Sequence, residues 1–436
     1  MILPPDENRN GPASSAGPQS GNERFGLALP EDSQLQAATP WWKTTAVAII
    51  HFPILADKAH HCAMAWAHPQ HPKGRVDAAG DTLVNPNASL EQKEAALEVI
   101  NNWRSSHSYP LQSLKMTLRT RALKTDRRAI TAQRLKRLSS IAAKLDRNKN
   151  MKLSQMQDIG GCRAVVKGIR QIERVLKRYT ISRAKNPTAR VEFVKMFDYI
   201  QCPKVDGYRS VHLIYKYRSP SPRHKVWHGL RIEIQLRTKL QHAWATAVET
   251  VDAFTGQGLK TSGGSGTEKV EWGRLFALMG SFIACKEKKP MVPGTPNRSE
   301  LIKELRQLSE QLQAEIKLRG WSYGMQLADE RAKPGDEVFL LTLDTVQRTV
   351  GIRGFSDMRK AQDAYLLAEK ELKPGQQSVL VSVDSLDAIR TAYPNYFADT
   401  GVFVGVLEEA VAENKEDEIV QQLQGPPEGT PQSAAQ

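Results

Sequence analysis

The spacing of apolar residues divides the middle of this chain into helices and then strands with further helices. Helical spacing, with Ser89 as an N-cap, predicts helices over residues 89–100, 111–123, 130–145 and 240–251. Runs rich in apolar residues predict strands over 162–166, 211–217 and 230–236. Helices followed by strands and helices predict an α/β (α+β) domain with a mixed β-sheet flanked by helices.

The same pattern predicts two folded parts. The main domain covers residues 89–290. A small α/β domain covers residues 336–411, with strands at 338–343 and 378–383 and a helix at 356–372. No catalytic constellation stands out in this second part, so we interpret it as a binding or regulatory module and call it the accessory module.

The segments around these two parts have different compositions. Residues 1–40 and 412–436 are polar and poor in large apolar residues, so we expect disordered tails. Residues 41–88 show no clear period, and we assign no role to them. Residues 298–320 have leucines at helical spacing and predict an amphipathic helix, either a contact in a homo-oligomer or a connector packed on its own domain.

Charge and cysteine usage narrow the class of protein. The formal net charge of +14 and the pI of about 9.5 favour polyanionic partners such as nucleotides or RNA. The four cysteines form no C-x-x-C pair, so neither a disulfide framework nor a zinc site is expected, and reduced thiols fit a cytoplasmic protein. The most apolar stretch, residues 46–56, is far shorter than a membrane-spanning helix, so we expect no membrane partner.

A concentrated basic patch surrounds the start of one predicted helix. Between Lys115 and Lys152 there are 13 Lys or Arg residues against two acids. Within it, the run RLKRLSSIAAK (134–144) places cations and hydroxyls at the helix start. Free backbone N–H groups and the helix dipole add to such charges, so the run predicts a phosphate cradle. A solvated basic face is the alternative.

Two carboxylates stand at predicted strands. Asp158 precedes a Gly-Gly pair and a strand, which suits either a Mg²⁺ ligand or a cap of a turn at residues 160–161. In RIEIQLRT (231–238), alternation turns Glu233 to the polar face of its strand. If the two strands are neighbours, both carboxylates can share one Mg²⁺ while the basic helix binds phosphates, as phosphoryl-type transfer requires.

A third block, PKVDGYRSVHLIYKY (203–217), places polar and aromatic residues around Gly207. The glycine permits a tight turn or the close approach of a ligand. Tyr208 is suited to stacking on a base, and His212 to contacting a phosphate or a sugar. Core packing is the alternative for either residue.

Together these elements resemble the synthetase domain of the RelA/SpoT family over about residues 95–290. The resemblance is carried by the R-x-K-x-x-x-S-I-x-x-K run, the D-x-x-x-x-R strand, GYRSVH and EIQLRT. It implies a nucleotidyltransferase-like fold and a Mg²⁺-dependent enzyme of the GTP pyrophosphokinase type. In such enzymes the 3′-hydroxyl of GDP or GTP attacks the β-phosphorus of ATP, which yields AMP and the alarmone (p)ppGpp of the stringent response.

The resemblance also implies residue roles. Its ATP-binding residues are Arg134, Lys136, Ser140, Lys144 and Arg163. The two arginines would flank adenine, and the other three would hold phosphates. Asp158 and Glu233 would be the catalytic and metal-binding carboxylates, with Glu233 also suited to activating the attacking hydroxyl. The acceptor-binding residues would be Lys204, Tyr208 and His212.

The flanks favour a single-function synthetase and leave a second possibility open. Residues 1–85 do not match the His-Asp hydrolase domain of the long family members, so we expect no alarmone hydrolysis. Residues 101–111 and 240–251 resemble a subgroup that includes toxin-like members. Some of these transfer pyrophosphate to the 3′ end of tRNA and block translation, and some sense phage proteins. A tRNA-modifying toxin is therefore the alternative hypothesis.

Overall fold

One mixed β-sheet runs through the described part of the chain. The computed structural model describes residues 66–185, 191–255, 267–323, 325–333, 336–383 and 387–413. Its strands are β1 (Ile130–Leu135), β2 (Gly160–Val166), β3 (Val191–Asp198), β4 (Val211–Tyr217), β5 (Arg231–Thr238), β6 (Gln326–Arg331), β7 (Val338–Asp344), β8 (Thr349–Phe355) and β9 (Gln376–Ser382). Among the described residues these strands pair in the order β3-β4-β5-β2-β1-β9-β7-β8-β6.

Helices cover both faces of the sheet. They are α1 (Lys73–Val84), α2 (Leu90–Ser106), α3 (Ser108–Leu123), α4 (Leu138–Arg147), α5 (Ile169–Lys185), α6 (Lys239–Thr255), α7 (Thr267–Lys286), α8 (Arg298–Leu312), α9 (Ala314–Tyr323), α10 (Met358–Glu371), α11 (Asp387–Ala392) and α12 (Gly401–Ala412). The predicted mixed sheet flanked by helices is therefore confirmed. Within the described ranges, no helix is long and apolar enough to cross a bilayer.

Local sequence explains several element ends. Ser89 caps α2 as predicted, because its hydroxyl accepts from the backbone N–H of Gln92 while the Gln92 side chain accepts from the Ser89 N–H. The predicted strands at 162–166, 211–217 and 230–236 are present as β2, β4 and β5. The tail predicted over residues 1–40, most of the segment 41–88 and most of the tail 412–436 lie outside the described residues, which leave out 1–65 and 414–436.

The prediction of one helix over residues 130–145 is wrong in its first part. Residues 130–135 form β1, which pairs with β2 on one side and with β9 on the other. Helical spacing in a short apolar run does not distinguish one long helix from a strand followed by a helix. Pairing with strands that lie far along the chain decides which of the two forms. The supposed turn at Gly160 and Gly161 is likewise wrong, because both residues already belong to β2.

The accessory module extends the same sheet. Strand β9 pairs antiparallel with β1 through Gln133 with Ser382 and Arg134 with Val381. Strand β7 then pairs with β9, and β8 with β7. The last helix, α12, packs against α6 of the main domain and against α8 and α9, which follow that domain in the chain. The accessory module therefore shares a continuous backbone ladder with the main domain.

The leucine-rich segment at 298–320 is two helices in the structure, α8 and α9. Leu301, Leu305, Leu308 and Leu312 are buried in a cluster with residues of α6, α7 and α12. This packing corresponds to the connector alternative, since these leucines contact their own chain.

A buried ion pair joins the accessory module to the main domain. Arg104 of α2 lies 2.7 Å from Glu369 of α10, and their side chains are 2% and 8% exposed. Arg104 Nε also donates to the carbonyl of Lys136 at 3.1 Å, and the backbone N–H of Leu138 donates to Glu369 Oε1 at 3.1 Å. Both members of the pair therefore also hold the segment that leads into α4.

Removing one member of this pair leaves a buried charge without its partner. We expect Glu369→Ala to lower the free energy of unfolding by about 3–5 kcal/mol. The matched control is Glu413→Ala, which removes the carboxylate of a half-exposed pair with Arg298 and should cost about 0–1 kcal/mol. Urea unfolding followed by circular dichroism measures both, and equal losses in the two variants would contradict the assignment.

Candidate active site

Asp158 lies between two lysines just before β2. Its carboxylate oxygens are 2.7 Å from Lys136 Nζ and 2.9 Å from Lys144 Nζ. Burial opposes ionisation of Asp158, but the two lysines outweigh it and hold its pKa well below the usual value. Burial lowers the pKa of Lys136, and the charge of Asp158 only partly offsets this effect. The basic start of α4 and the predicted carboxylate therefore form one charged cluster.

Glu233 lies on the neighbouring strand. Strands β2 and β5 are parallel, and Gly161 pairs with Glu233 in the register. Glu233 Oε1 is 2.8 Å from His212 Nδ1, and the Gln235 amide donates to Oε2 at 2.6 Å. Burial disfavours ionisation of Glu233, but its contacts with His212 and Gln235 outweigh burial and lower its pKa on balance. The two predicted carboxylates thus stand at neighbouring strands on one face of the sheet.

Aromatic rings form a wall beside this face. The Tyr208 hydroxyl is 2.7 Å from His212 Nε2. Lys204 Nζ lies 4.6 Å from the ring centroid of Tyr199 and 5.1 Å from that of Tyr208. Tyr199 also stacks on Phe197, with centroids 5.8 Å apart. Flat aromatic faces with a cation beside them suit a nucleobase attached to phosphates.

Two cavities that share several lining residues open on this site. The larger has a volume of about 520 Å³. The residues that the sequence analysis assigned to the site and that line this cavity are Arg134, Lys144, Asp158, Lys204, Tyr208, His212 and Glu233. The smaller, of about 70 Å³, is lined by Arg134, Lys136, Asp158, Arg163 and Glu233, together with Arg237, Glu249 and Tyr393. Ser140, in the first turn of α4, lines neither of these two cavities.

Arg163 is engaged by the accessory module. Its guanidinium lies 5.4 Å from the ring centroid of Tyr393, and it donates to the carbonyl of Ala392. The Tyr393 hydroxyl donates to the carbonyl of Gln133 at 2.7 Å. Burial and the nearby charge of Arg237 lower the pKa of Arg163 to about 10, so it stays protonated at neutral pH. An aromatic ring of this chain thus lies on the guanidinium that the resemblance assigns to adenine.

Sequence reasoning missed several residues of the site. Arg237 and Gln235 follow Glu233 on the polar face of β5, so the alternation in EIQLRT carried a signal for both. Tyr199 follows β3, a strand that the sequence pattern did not predict. Tyr393 comes from the accessory module, and no local pattern links it to Arg163.

The donor set suits a hard cation at the carboxylates. Asp158 and Glu233 line both cavities, and both are carboxylate oxygen donors, which Mg²⁺ prefers. Within the described residues, no group of three or more His, Cys, Asp or Glu side chains is arranged to hold a metal. A cation at this place would therefore depend on two protein carboxylates and on water or substrate oxygens, as is common for Mg²⁺.

Comparison with known proteins agrees with the position of this site. The model of the family described as the region found in RelA / SpoT proteins matches residues 133–252, which contain α4, β2, β4 and β5. Residues 133–252 form a RelA/SpoT region. The predicted family is therefore confirmed for this part of the chain.

Individual relatives resemble the chain over a limited length. The GTP pyrophosphokinase YwaC of Bacillus subtilis (strain 168) is 34% identical over 122 residues, which are 27% of this chain and 54% of that protein. The chain thus spans about half the length of this curated relative.

Solved structures give the following values. Small alarmone synthetase 1 from Bacillus subtilis, bound to its product pppGpp, is 22% identical, with 43% of this chain and 94% of that chain covered and a TM-score of 0.33. A GTP pyrophosphokinase family protein from Streptococcus pneumoniae is 20% identical, with 41% and 85% covered and a TM-score of 0.30.

The loop of Tyr208 in the RelA/SpoT region depends on Gly207. This residue has φ +89°, and a Cβ there would lie 2.6 Å from the carbonyl oxygen of Phe276 on α7. Gly229 has φ +84°, but a Cβ there would meet no atom within 4 Å. The two glycines therefore share a backbone conformation and differ in the space around them.

We expect Gly229→Ala to lower the free energy of unfolding by about 1–2 kcal/mol through backbone strain alone. Gly207→Ala should cost about 2–4 kcal/mol, since the clash with α7 adds to the same strain. Urea unfolding of the two variants beside the unchanged protein gives the comparison. Equal losses would show that close packing of the loop on α7 contributes nothing.

Proposed function

We propose that this protein transfers pyrophosphate from ATP to the 3′-hydroxyl of GDP or GTP in a Mg²⁺-dependent reaction. One observation carries the proposal: Asp158, just before β2, and Glu233, on the neighbouring β5, line both cavities, and each cavity is also lined by one lysine of the basic run, Lys136 in the smaller and Lys144 in the larger. Phosphoryl-type transfer needs little besides positioning, cations and a metal. Membership of residues 133–252 in a RelA/SpoT region supports the pyrophosphate as the transferred group.

The charged groups of the site suit both the attacking hydroxyl of the acceptor and the phosphates of ATP. The acceptor's 3′ oxygen forms a bond to the β-phosphorus of ATP, the bond from that phosphorus to the α,β-bridging oxygen breaks, and AMP leaves. Glu233, whose pKa is lowered, accepts the hydroxyl proton. Asp158 and Glu233 would hold Mg²⁺, which supplies charge neutralisation at the phosphates when bound.

The phosphates of ATP meet Lys136 and Lys144, which in this structure both contact Asp158. Ser140 lies in the first turn of α4, between the two lysines in sequence, where backbone N–H groups are available to anions at a helix start. Arg134 lines both cavities and belongs with Arg163 at the adenine. These assignments follow the resemblance, and the lining of the cavities by Arg134, Lys136, Lys144 and Arg163 supports them.

The acceptor belongs in the 520 Å³ cavity. Tyr208 lies on its wall with Lys204 beside its ring, so a guanine stacked on Tyr208 would place its phosphates near a cation. His212 bridges Tyr208 and Glu233, which puts an imidazole beside the acceptor's sugar. These contacts favour a free nucleotide as acceptor.

One observation favours the tRNA alternative. Arg178 of α5 contacts Thr125 and the carbonyl of Lys124 at the end of α3. The exposed cations of α5 and of the residues that follow α3 therefore form one basic surface, which comprises Lys124, Arg127, Arg128, Arg170, Arg174, Lys177 and Arg178. Such a surface suits RNA phosphates. It surrounds α3 and α5, however, and none of these cations lines either cavity, so we rank tRNA second.

The deciding experiment offers GDP, GTP or bulk tRNA to the purified protein with Mg²⁺ and ATP labelled in its β- or γ-phosphate. Label in a guanosine product supports the proposal, whereas label in tRNA replaces it with the alternative. Glu233→Gln and Asp158→Asn should each lower the rate at least ~100-fold, because each removes a charge at the reacting phosphates.

Two matched variants control for the chemical change itself. Glu192→Gln and Asp146→Asn alter carboxylates whose partners are Arg218 and Lys149, and neither lines a cavity. Both should keep the full rate. Transfer to none of the three acceptors would point to a binding module, and near-normal rates in either site variant would refute the assigned roles.

The accessory module regulates the site in this proposal. Tyr393 lies on the Arg163 guanidinium, so adenine and the Tyr393 ring compete for the same cation. The gap left beside them has a volume of only about 70 Å³. ATP binding therefore requires the Tyr393 segment to move away, and a partner that displaces the accessory module would activate transfer.

Removing the competing ring should favour ATP. We expect Tyr393→Ala to raise the affinity for a non-hydrolysable ATP analogue roughly 2- to 30-fold, the equivalent of one lost cation–π contact. Tyr393→Phe keeps the ring and loses only the bond to the Gln133 carbonyl, so it should behave nearly as the unchanged protein. Isothermal titration measures both, and unchanged or weaker binding by Tyr393→Ala would contradict the competition.

A further inference from the structure

Five side chains of the site form a closed ring of hydrogen bonds. Arg237 NH2 lies 2.9 Å from the Tyr208 hydroxyl, which lies 2.7 Å from His212 Nε2. His212 Nδ1 lies 2.8 Å from Glu233 Oε1, and Glu233 Oε2 lies 2.6 Å from the Gln235 amide nitrogen. The Gln235 carbonyl oxygen returns to Arg237 NH2 at 3.1 Å. The resemblance assigns no role to Arg237, although it closes this ring.

Arg237 is the ring member whose role as a donor is fixed. A guanidinium only donates hydrogen bonds and stays protonated in proteins. Tyr208 and Gln235 therefore both accept from Arg237. Because Arg237 cannot accept, the Tyr208 hydroxyl hydrogen is available to His212 Nε2 at 2.7 Å, and an amide hydrogen of Gln235 is donated to Glu233 Oε2 at 2.6 Å.

The remaining proton positions follow from this direction. An imidazole that accepts at Nε2 carries its hydrogen at Nδ1, which faces Glu233. Glu233 then accepts at both oxygens, and a carboxylate that only accepts is the ionised form. The hydrogen bonds that Arg237 donates therefore orient the groups next to Glu233 on both sides, through Tyr208 and His212 on one side and through Gln235 on the other.

The position of Arg237 fits such a role. Its side chain is buried, it lines both cavities, and its guanidinium lies 5.3 Å from the ring centroid of Tyr208. Arg163 and His242 interact with the charge of Arg237, Arg134 lines the same two cavities, and Arg163 is already engaged by Ala392 and Tyr393. Arg237 therefore stands where the donor and acceptor parts of the site meet.

We infer that Arg237 is a positioning residue that sets the direction of this ring, places the His212 hydrogen on Nδ1, and fixes the orientation of the Glu233 carboxylate. The inference rests on the proposed function only for the consequence in catalysis. The proton arrangement itself belongs to the protein without substrate.

The kinetic test uses a double-mutant cycle. Arg237→Met removes the donor and keeps a long side chain, and Tyr208→Phe removes the next link and keeps the ring. Each should lower kcat roughly 10- to 100-fold, with the KM for ATP nearly unchanged. The double variant should be no slower than the slower single variant, because both changes break one network. Arg237→Lys, which restores a donor, should recover part of kcat.

The direct test reads the histidine. In protein labelled with ¹⁵N-histidine and free of nucleotide, long-range ¹H–¹⁵N spectra report which ring nitrogen carries the hydrogen, and His212→Gln identifies the signal. The unchanged protein should show His212 with hydrogen on Nδ1. Arg237→Met should shift it toward the form with hydrogen on Nε2, and Arg218→Met, the same change at an exposed arginine, should leave both the spectrum and kcat unchanged.

Either of two results overturns the inference: additive losses of kcat in the cycle, or a His212 signal that is the same with and without Arg237. The spectrum needs no activity. A protein that transfers nothing to any acceptor would end the proposed function, while a shifted His212 signal would still support the role of Arg237.

Discussion

The pairing of β1 on both of its edges is the constraint on which the rest of the structure depends. On one edge β1 continues the sheet of the RelA/SpoT region through β2, and on the other it accepts β9 of the accessory module. An interior strand has its backbone groups satisfied from both sides, so its position is fixed more firmly than that of an edge strand. Arg134 lies on this strand, and Lys136 follows it directly. The accessory module therefore helps to fix the backbone that carries the phosphate-binding cations.

Electrostatics explain why the site needs a counter-charge in the absence of a nucleotide. Lys136 and Lys144 approach the same carboxylate, and burial already lowers the pKa of Lys136. Without Asp158 the two ammonium groups would face each other in a poorly solvated cleft. Asp158 thus holds the cations in place for an incoming polyphosphate. In the proposed reaction, phosphates and a metal would take over the contacts that the lysines and Asp158 now make with each other.

The sequence allowed the site to be predicted to the extent that its residues lie in short, ordered motifs. Glu233 was predicted because strict alternation in EIQLRT turns it away from the buried isoleucines. Strand β1 was not, since six residues with mixed spacing take their conformation from partners that lie far along the chain. The contact of Tyr393 with Gln133 spans 260 residues, so no local pattern contains it. Functional contacts between parts of a chain depend on tertiary pairing, and that pairing is the property that propensity and period describe least.

The accessory module contacts the start of α4 through Glu369 and contacts Arg163 through Tyr393. Because both contacts belong to one folded unit, a change in one affects the other. Glu369 accepts a hydrogen bond from the Leu138 N–H and forms an ion pair with buried Arg104. Tyr393 lies on Arg163 and donates a hydrogen bond to a backbone carbonyl of β1. Moving Tyr393 while Glu369 stays in place would strain β9 and the residues that follow it, since both contacts arise from one folded unit. Leaving both contacts together exposes a buried ion pair to water, where its members are solvated separately. Under the proposed regulation, release of the module would therefore be more nearly all-or-none than gradual, and it would free the Arg163 guanidinium in one step.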